Sequence, residues 1–177
     1  PILSNGGTDR GLPISCFLNS VEDNLDGIVD TWTENVWLAS NGGGIGTYWG
    51  GVRSIGETVK GCGQTSGIIP FVRVMDSLTL AISQGSLRRG SAAVYLDVHH
   101  PEIEEFVEIR KPSGDFNRKS LNLHHGVCIT DEFMHAVRED PKCQGLLFAG
   151  TERGVLFSRD TGGTWQPLRL NLSTVPV

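Results

Sequence analysis

Basic residues are in short supply. Fifteen Lys and Arg stand against 20 Asp and Glu, a formal net charge of −5. The chain therefore lacks the cationic excess that a nucleic-acid polymer selects, and any cationic site must be local. No apolar run approaches the roughly 18 residues that a membrane-spanning helix needs. The opening PILSNGGTDR has none of the charged-then-apolar pattern of a secretion signal. The four cysteines, Cys16, Cys62, Cys128 and Cys143, form no C-x-x-C pair. That excludes the common zinc and thioredoxin-type spacings, and free thiols in a reducing cytoplasm are expected. G-x-S-x-G is missing, and no Ser-His-Asp order is discernible. Two His pairs, His99-His100 and His124-His125, could give one ligand each at most, because strand neighbours point to opposite faces. No metal site is expected.

Glycine, by contrast, is abundant: 23 of 177 residues, many of them between Gly42 and Gly67. The stretch NGGGIGTYWGG (41–51) predicts a loop whose backbone approaches something closely. It does not fit G-x-G-x-x-G, since Trp49 stands where the last Gly would fall, and no Walker lysine follows.

Hydrophobic patterning divides the rest. ISCFLN (14–19) predicts a buried strand. A helix over about 24–40 follows, capped from Asp23, Asn24 or Asp26, with Leu25, Ile28, Val29, Trp32, Val36 and Leu38 or Ala39 as its apolar face. Residues 53–66 read as irregular. SGIIPFVRVMDSLTLAIS (66–83) predicts a helix packed on several sides, with Pro70 tolerated near its first turn. QGSLRRGS is a hinge, and AAVYLDV (92–98) a strand. Pro101 opens a short helix with acids early and Arg110 late. After a polar loop (111–120) come a strand, LNLHHGVCIT (121–130), and a helix starting at Thr130 or Asp131. This alternation indicates an α/β fold with a parallel or mostly parallel sheet. Near Val137 the character changes: LLFAGT and GVLFSRD are two short strands joined by ERG. The expected domains are 1–137 and 138–177.

The chemistry-bearing residues are cationic. Arg88 and Arg89 lie between Gly85 and Gly90. Arg suits bidentate phosphate recognition, and flanking glycines let the backbone reshape. With Arg53, Lys60 and the carboxylate of Asp23 the set suits a nucleotide. The alternative is that Arg88 and Arg89 are solvated loop charges. Cys16 is either an inert buried thiol or, at an exposed strand end with a partner, a redox thiol.

PILSNGG, LPISCFLN, SNGGGIG, ISQGSLRRGSAAVYLDVHHPEIEEFVEIRK and GDFNRKSLNLHHGV together resemble the large, catalytic subunit of ribonucleotide reductase, of the class I ribonucleoside-diphosphate reductase type found in bacteria. The resemblance covers roughly residues 1–137. It implies an α/β barrel of two five-stranded halves, with this chain supplying much of the first. Cys16 looks like one of two thiols that reduce the ribose and become a disulfide. Ser15, Gly43, Gly44, Gln84 and Arg88 would face a ribonucleoside diphosphate. Asp23, Arg53 and Lys60 would hold a deoxynucleoside triphosphate or ATP effector. Gln84 to Ser91 would be a mobile relay loop between the two sites, and helix 66–83 would pair two alpha subunits. A partner beta subunit with a metal centre would supply the radical. The chain contains no N-L-C-x-E stretch to carry a thiyl radical, nor a match to the second redox thiol. The expectation is therefore a fragment inactive by itself. The alternatives are a non-catalytic nucleotide-binding or interaction module, or a propeller-derived binding fragment. The tail resembles something else: Ser158, Asp160, Gly162 and Trp165 fit S-x-D-x-G-x-T-W, the Asp-box of sialidase- or sortilin-like propellers. In such a box the Asp ties a hairpin turn and the Trp packs between strands. One blade closes no propeller, so no glycosidase activity is implied.

Overall fold

The computed structural model describes residues 2–9, 13–59, 61, 63–84, 88–140, 144–151 and 154–167. Lys60, Cys62 and Cys143 lie outside the described residues, as do the side chains of Gln84 and Arg88. Two compact units divide the chain, Pro1–Cys128 and Ile129–Val177.

In chain order the first unit contains α1 (Ile2–Asn5), β1 (Cys16–Ser20), α2 (Leu25–Ser40), β2 (Gly44–Tyr48), β3 (Thr58–Val59), β4 (Gly63–Gln64), α3 (Ile69–Ala81), β5 (Ser83–Gln84), β6 (Arg88–Arg89), β7 (Ser91–Asp97), α4 (Ile103–Glu108), a 3-10 turn at Phe116–Arg118, and β8 (His124–Cys128). β1, β2, β7 and β8 form a four-stranded sheet in that order, parallel throughout. The α/β reading with a parallel sheet is therefore observed.

One face of the sheet carries the core. Ile45 and Thr47 of β2 and Ala92, Val94 and Leu96 of β7 are buried on it, against Ile28 of α2 and Ile69, Val72 and Met75 of α3. The opposite face is open: Cys16 and Tyr95 are exposed, and Leu18 is 83% exposed. β1 is thus an edge strand with one solvated face, not a buried one.

The sequence 41–51 is not simply a loop. Its middle is β2, an inner strand of the sheet. Glycine conceals it because the open face has no room there: a Cβ on Gly46 would sit 2.6 Å from Leu18 Cδ2 and 3.1 Å from the Tyr95 ring. Residues 53–66 are not wholly irregular either, since β3 and β4 pair antiparallel. The hinge is flanked by a similar short ladder, with Gln84 paired to Arg88.

Helix α2 is capped by Asn24, whose side chain accepts from Gly27 N at 2.7 Å. Its buried face is Ile28, Thr31, Asn35 and Ala39. Leu25, Val29 and Trp37, at i, i+4 and i+12, form an exposed stripe instead. Asn35 is buried because it has partners: its amide donates to Thr47 Oγ1 at 3.2 Å, and its Oδ1 accepts from Asn19 at 2.8 Å. Helix α3 is not packed on several sides, since Val74 and Leu80 are 40% and 57% exposed. Asp76 anchors it. This buried carboxylate accepts from Ser120 Oγ, Asn122 N, Asn122 Nδ2 and Leu123 N, all at 2.8–2.9 Å. The short helix after Pro101 begins two residues later than expected, at Ile103.

The second unit contains α5 (Asp131–Glu139), β9 (Leu147–Thr151), β10 (Gly154–Ser158) and β11 (Gln166–Pro167), the strands forming an antiparallel sheet. Thr130 caps α5, its hydroxyl accepting from Phe133 N at 3.3 Å. The division at Cys128 and Ile129 falls ahead of the expected boundary at Val137. The linker-like composition of REDPKCQG marks where helical periodicity stops, and α5 nevertheless belongs to the same unit as the hairpin.

Candidate functional site

Two groups of expected site residues come together, at opposite ends of the parallel strands. The first lies where β1 and β2 begin. Cys16 is in register with Gly44, and Gly44 N donates to Ser15 O at 2.6 Å. Ser15 Oγ lies 3.7 Å from Cys16 Sγ. Gly43 closes the turn out of α2, its N–H donating to Leu38 O at 2.9 Å. A Cβ there would lie 2.8 Å from the Phe17 ring. Cys16 is exposed rather than buried, and it heads the open face. That geometry suits a reacting thiol better than an inert one. Cys128 is also free, but it pairs in register with Asp97, six residues along β7 from Ser91, which shares the row of Gly44. β5 and β6, which contain Gln84 and Arg88, lie between the end of α3 and the start of β7, at this same end.

The second group lies beyond the other ends of β1 and β2. Asp23 stands just before the cap of α2, and Arg53 just after β2. Arg53 Nε donates to both Asp23 oxygens at 2.9 and 3.0 Å, and Arg53 N donates to Oδ1 at 3.1 Å. The remaining guanidinium donors reach Asp23 O at 3.2 Å and Thr58 O at 3.3 Å. The hydrogen bond from Arg53 holds the Asp23 carboxyl below the usual carboxylate range. Both side chains are about one-third exposed, at 33% and 38%. A partly open Arg–Asp fork offers an anion both a cation and, from Asp23, an acceptor for a hydroxyl or base N–H. β2 is five residues long, so at ~3.3 Å per residue roughly 15 Å separates the two groups.

Sequence reasoning missed two features. On the open face Tyr48 donates a short hydrogen bond to Asp97, which with burial pushes the phenol up to about 12. A period of two would expose this pair, but only once GIGTY is read as a strand. The other is a buried network around His100 and Glu102, which no periodicity marks because it joins separate loops.

Among the described residues no three His, Cys, Asp or Glu side chains gather closely enough to hold a metal ion. No helix among them is long and apolar enough to cross a membrane.

Residues 14–158 match the family described as ribonucleotide reductase, barrel domain. The chain belongs to this family. A frog virus 3 (isolate Goorha) protein named a ribonucleoside-diphosphate reductase large subunit is 49% identical over 137 residues, covering 77% of this chain and 23% of its own length. The ribonucleoside-diphosphate reductase subunit alpha of Helicobacter pylori strain J99 is 38% identical over 141 residues, covering 79% of this chain and 18% of its own. Among solved structures, the Actinobacillus ureae class Id ribonucleotide reductase alpha subunit superposes with a TM-score of 0.68 at 32% identity, covering 81% of this chain and 25% of that one. The chain thus spans a quarter or less of these relatives. The family match runs past Val137 to Ser158 and takes in α5, β9 and β10.

In the second unit Ser158, Asp160, Gly162 and Thr164 form a tied turn. Thr164 N and Oγ1 donate to the two Asp160 oxygens, both at 2.7 Å, and Ser158 Oγ donates to Oδ1 at 2.7 Å. Gly162 N donates to Ser158 Oγ at 2.9 Å, with Gly162 at φ +93°. Trp165 is 42% exposed, so it is not sandwiched between strands. The Thr164 bonds, backbone first, bring the Asp160 carboxyl down to about 2. A depressed pKa stabilises the folded turn fully above the unfolded value and loses that contribution as pH falls through the folded one. The turn is expected to loosen between about pH 4 and pH 2. Amide exchange at Thr164 reads it, and Asp160→Asn is expected to abolish the pH dependence.

Proposed function

We propose that this chain is the effector-binding and substrate-thiol portion of a ribonucleoside-diphosphate reductase alpha subunit, acting in deoxyribonucleotide synthesis in the cytoplasm. The observation that carries it is the partly open Arg53–Asp23 fork in a chain whose exposed Cys16 heads the open sheet face. Arg53 and Asp23, with Lys60, would hold a deoxynucleoside triphosphate or ATP. Cys16 would be one of the two ribose-reducing thiols, with Ser15, Gly43, Gly44, Gln84 and Arg88 around the ribonucleoside diphosphate. Reduction needs a second thiol and a radical. The first would come from the remainder of an alpha barrel covering the open face, the second from a metal-bearing beta subunit.

A relay between the two groups needs a second copy of the chain. Within one copy Gln84 and Arg88 are a strand length away from Arg53. Helices α2 and α3 both run against the strands, and they leave Leu25, Val29, Trp37, Val74 and Leu80 exposed. Two copies packed with these helices antiparallel would bring the end of α3 in one to the Arg53 end of the other. Sedimentation with a deoxynucleoside triphosphate is expected to show dimer, and the same sample given a ribonucleoside diphosphate and a dithiol is expected to release no deoxynucleoside diphosphate. A species that stays monomeric, or turnover by the chain alone, would count against this.

For the tail we propose the Asp-box hairpin expected from its sequence, a structural turn with no catalytic role. The Ser158–Asp160–Thr164 bonds support it.

A further inference from the structure

Arg53 stands in a loop whose neighbouring residues are all pinned. Val52 and Ser54, on either side, are 5% and 7% exposed. The Val52 carbonyl accepts from His100 Nε2 at 3.0 Å. Ser54 N and Oγ donate to Glu57 Oε1 at 3.1 and 3.2 Å. Ile55 N donates to Glu102 Oε2 at 3.1 Å, and that same oxygen accepts from Ile68 N, at the head of α3, at 3.1 Å. Glu102 N donates to His100 Nδ1 at 3.2 Å, which leaves the imidazole neutral with its proton on Nε2, facing Val52.

Glu102 is 3% exposed, and the fold gives up space for it. Gly67 has φ +83°, and a Cβ there would lie 2.2 Å from Glu102 Oε1. Arg118 NH2 lies 3.7 Å from that oxygen, while Arg118 also bonds both oxygens of Glu105 and donates to Ser66 O at 3.1 Å. Burying a carboxylate costs stability unless its bonds are made. An apolar residue could fill the space, but it could not hold amides from two separate loops.

We infer that Glu102, assisted by His100, is a positioning residue: it fixes the direction in which Arg53 leaves its loop, and through Arg53 the hold on Asp23 and on an anionic nucleotide. The nucleotide part rests on the function proposed above; the hold on Asp23 does not.

Carbon-13 NMR titration of the Asp23 carboxyl in the 177-residue chain, run beside calorimetry with a deoxynucleoside triphosphate, tests this. Glu102→Gln keeps the volume and one carbonyl but removes the charge that two amides share. It is expected to raise the Asp23 midpoint toward that of an ordinary aspartate and to weaken nucleotide binding about tenfold. In an Arg53→Ala background the same change is expected to add no further loss of binding, whereas a merely structural role would give additive losses. A folded Glu102→Gln chain with an unmoved Asp23 midpoint overturns the inference. Should that variant not fold, His100→Leu, which frees Val52 alone, is expected to raise the same midpoint, and an unmoved value there overturns it equally. A midpoint that moves in a chain that binds no nucleotide upholds the positioning role and discards the nucleotide reading.

Discussion

Replacing Asp76 by alanine is expected to destabilise the first unit by about 3–5 kcal/mol, a loss of roughly 10 °C in Tm. The carboxylate sits on the inward face of α3 and is 7% exposed. It receives four hydrogen bonds from Ser120, Asn122 and Leu123. All three residues lie in the short bend, 120–123, that leads directly into β8. Removing the acceptor leaves two backbone amides and two side-chain donors facing a void, and each buried donor without a partner costs about 1–3 kcal/mol. Asp76→Asn is expected to lose less, because its Oδ1 can still accept from Ser120 Oγ, Asn122 N and Leu123 N, and its new NH2 can donate to Asn122 Oδ1 once that side-chain amide flips. Chemical denaturation with an unchanged m-value would locate the loss in the native state. An alanine variant as stable as the parent would show that the turn finds other partners.

The second large effect concerns Arg53. Arg53→Ala is expected to weaken deoxynucleoside triphosphate binding by roughly 30-fold or more, since one charge-assisted contact contributes ~1.5–3 kcal/mol. Two effects act in the same direction. The guanidinium is lost as a phosphate partner, and Asp23 loses its counter-charge, so a bare carboxylate faces the ligand. Arg53→Lys separates them: it keeps the positive charge but loses the Nε–H that both Asp23 oxygens share and the planar spread of donors to Asp23 O and Thr58 O. Intermediate affinity is expected for it.

Much of this architecture is legible in the residues, and the exceptions share a physical cause. Helix α2, β7 and α5 follow from apolar period and capping, with Asn24 and Thr130 at the caps. β2 escapes because its open face is glycine, left empty to admit Leu18 and the Tyr95 ring. Glycine as punctuation and glycine as packing space look alike in a sequence. The apolar stripe Leu25, Val29 and Trp37 resembles a core face, yet Thr31 and Asn35 are the buried positions. Hydrophobicity reports that a surface wants cover, not whether this copy of the chain provides it. Cys16 is legible as a thiol in a short strand, inert or redox-active, and Asp23, Arg53 and Lys60 as one charged set suited to a nucleotide. Their placement at opposite ends of the sheet depends on strand direction and register, which no local motif carries. The Glu102 and His100 network was hidden for the same reason: its partners, Val52, Ile55 and Ile68, are far away in sequence.

The central claim is that Arg53 and Asp23 form a nucleotide effector site. Isothermal titration of the chain with deoxynucleoside triphosphates, with Arg53→Ala as the matched control, tests it most directly. Saturable heat that the substitution removes is the predicted result. No heat at millimolar nucleotide, or equal binding by parent and variant, would contradict it.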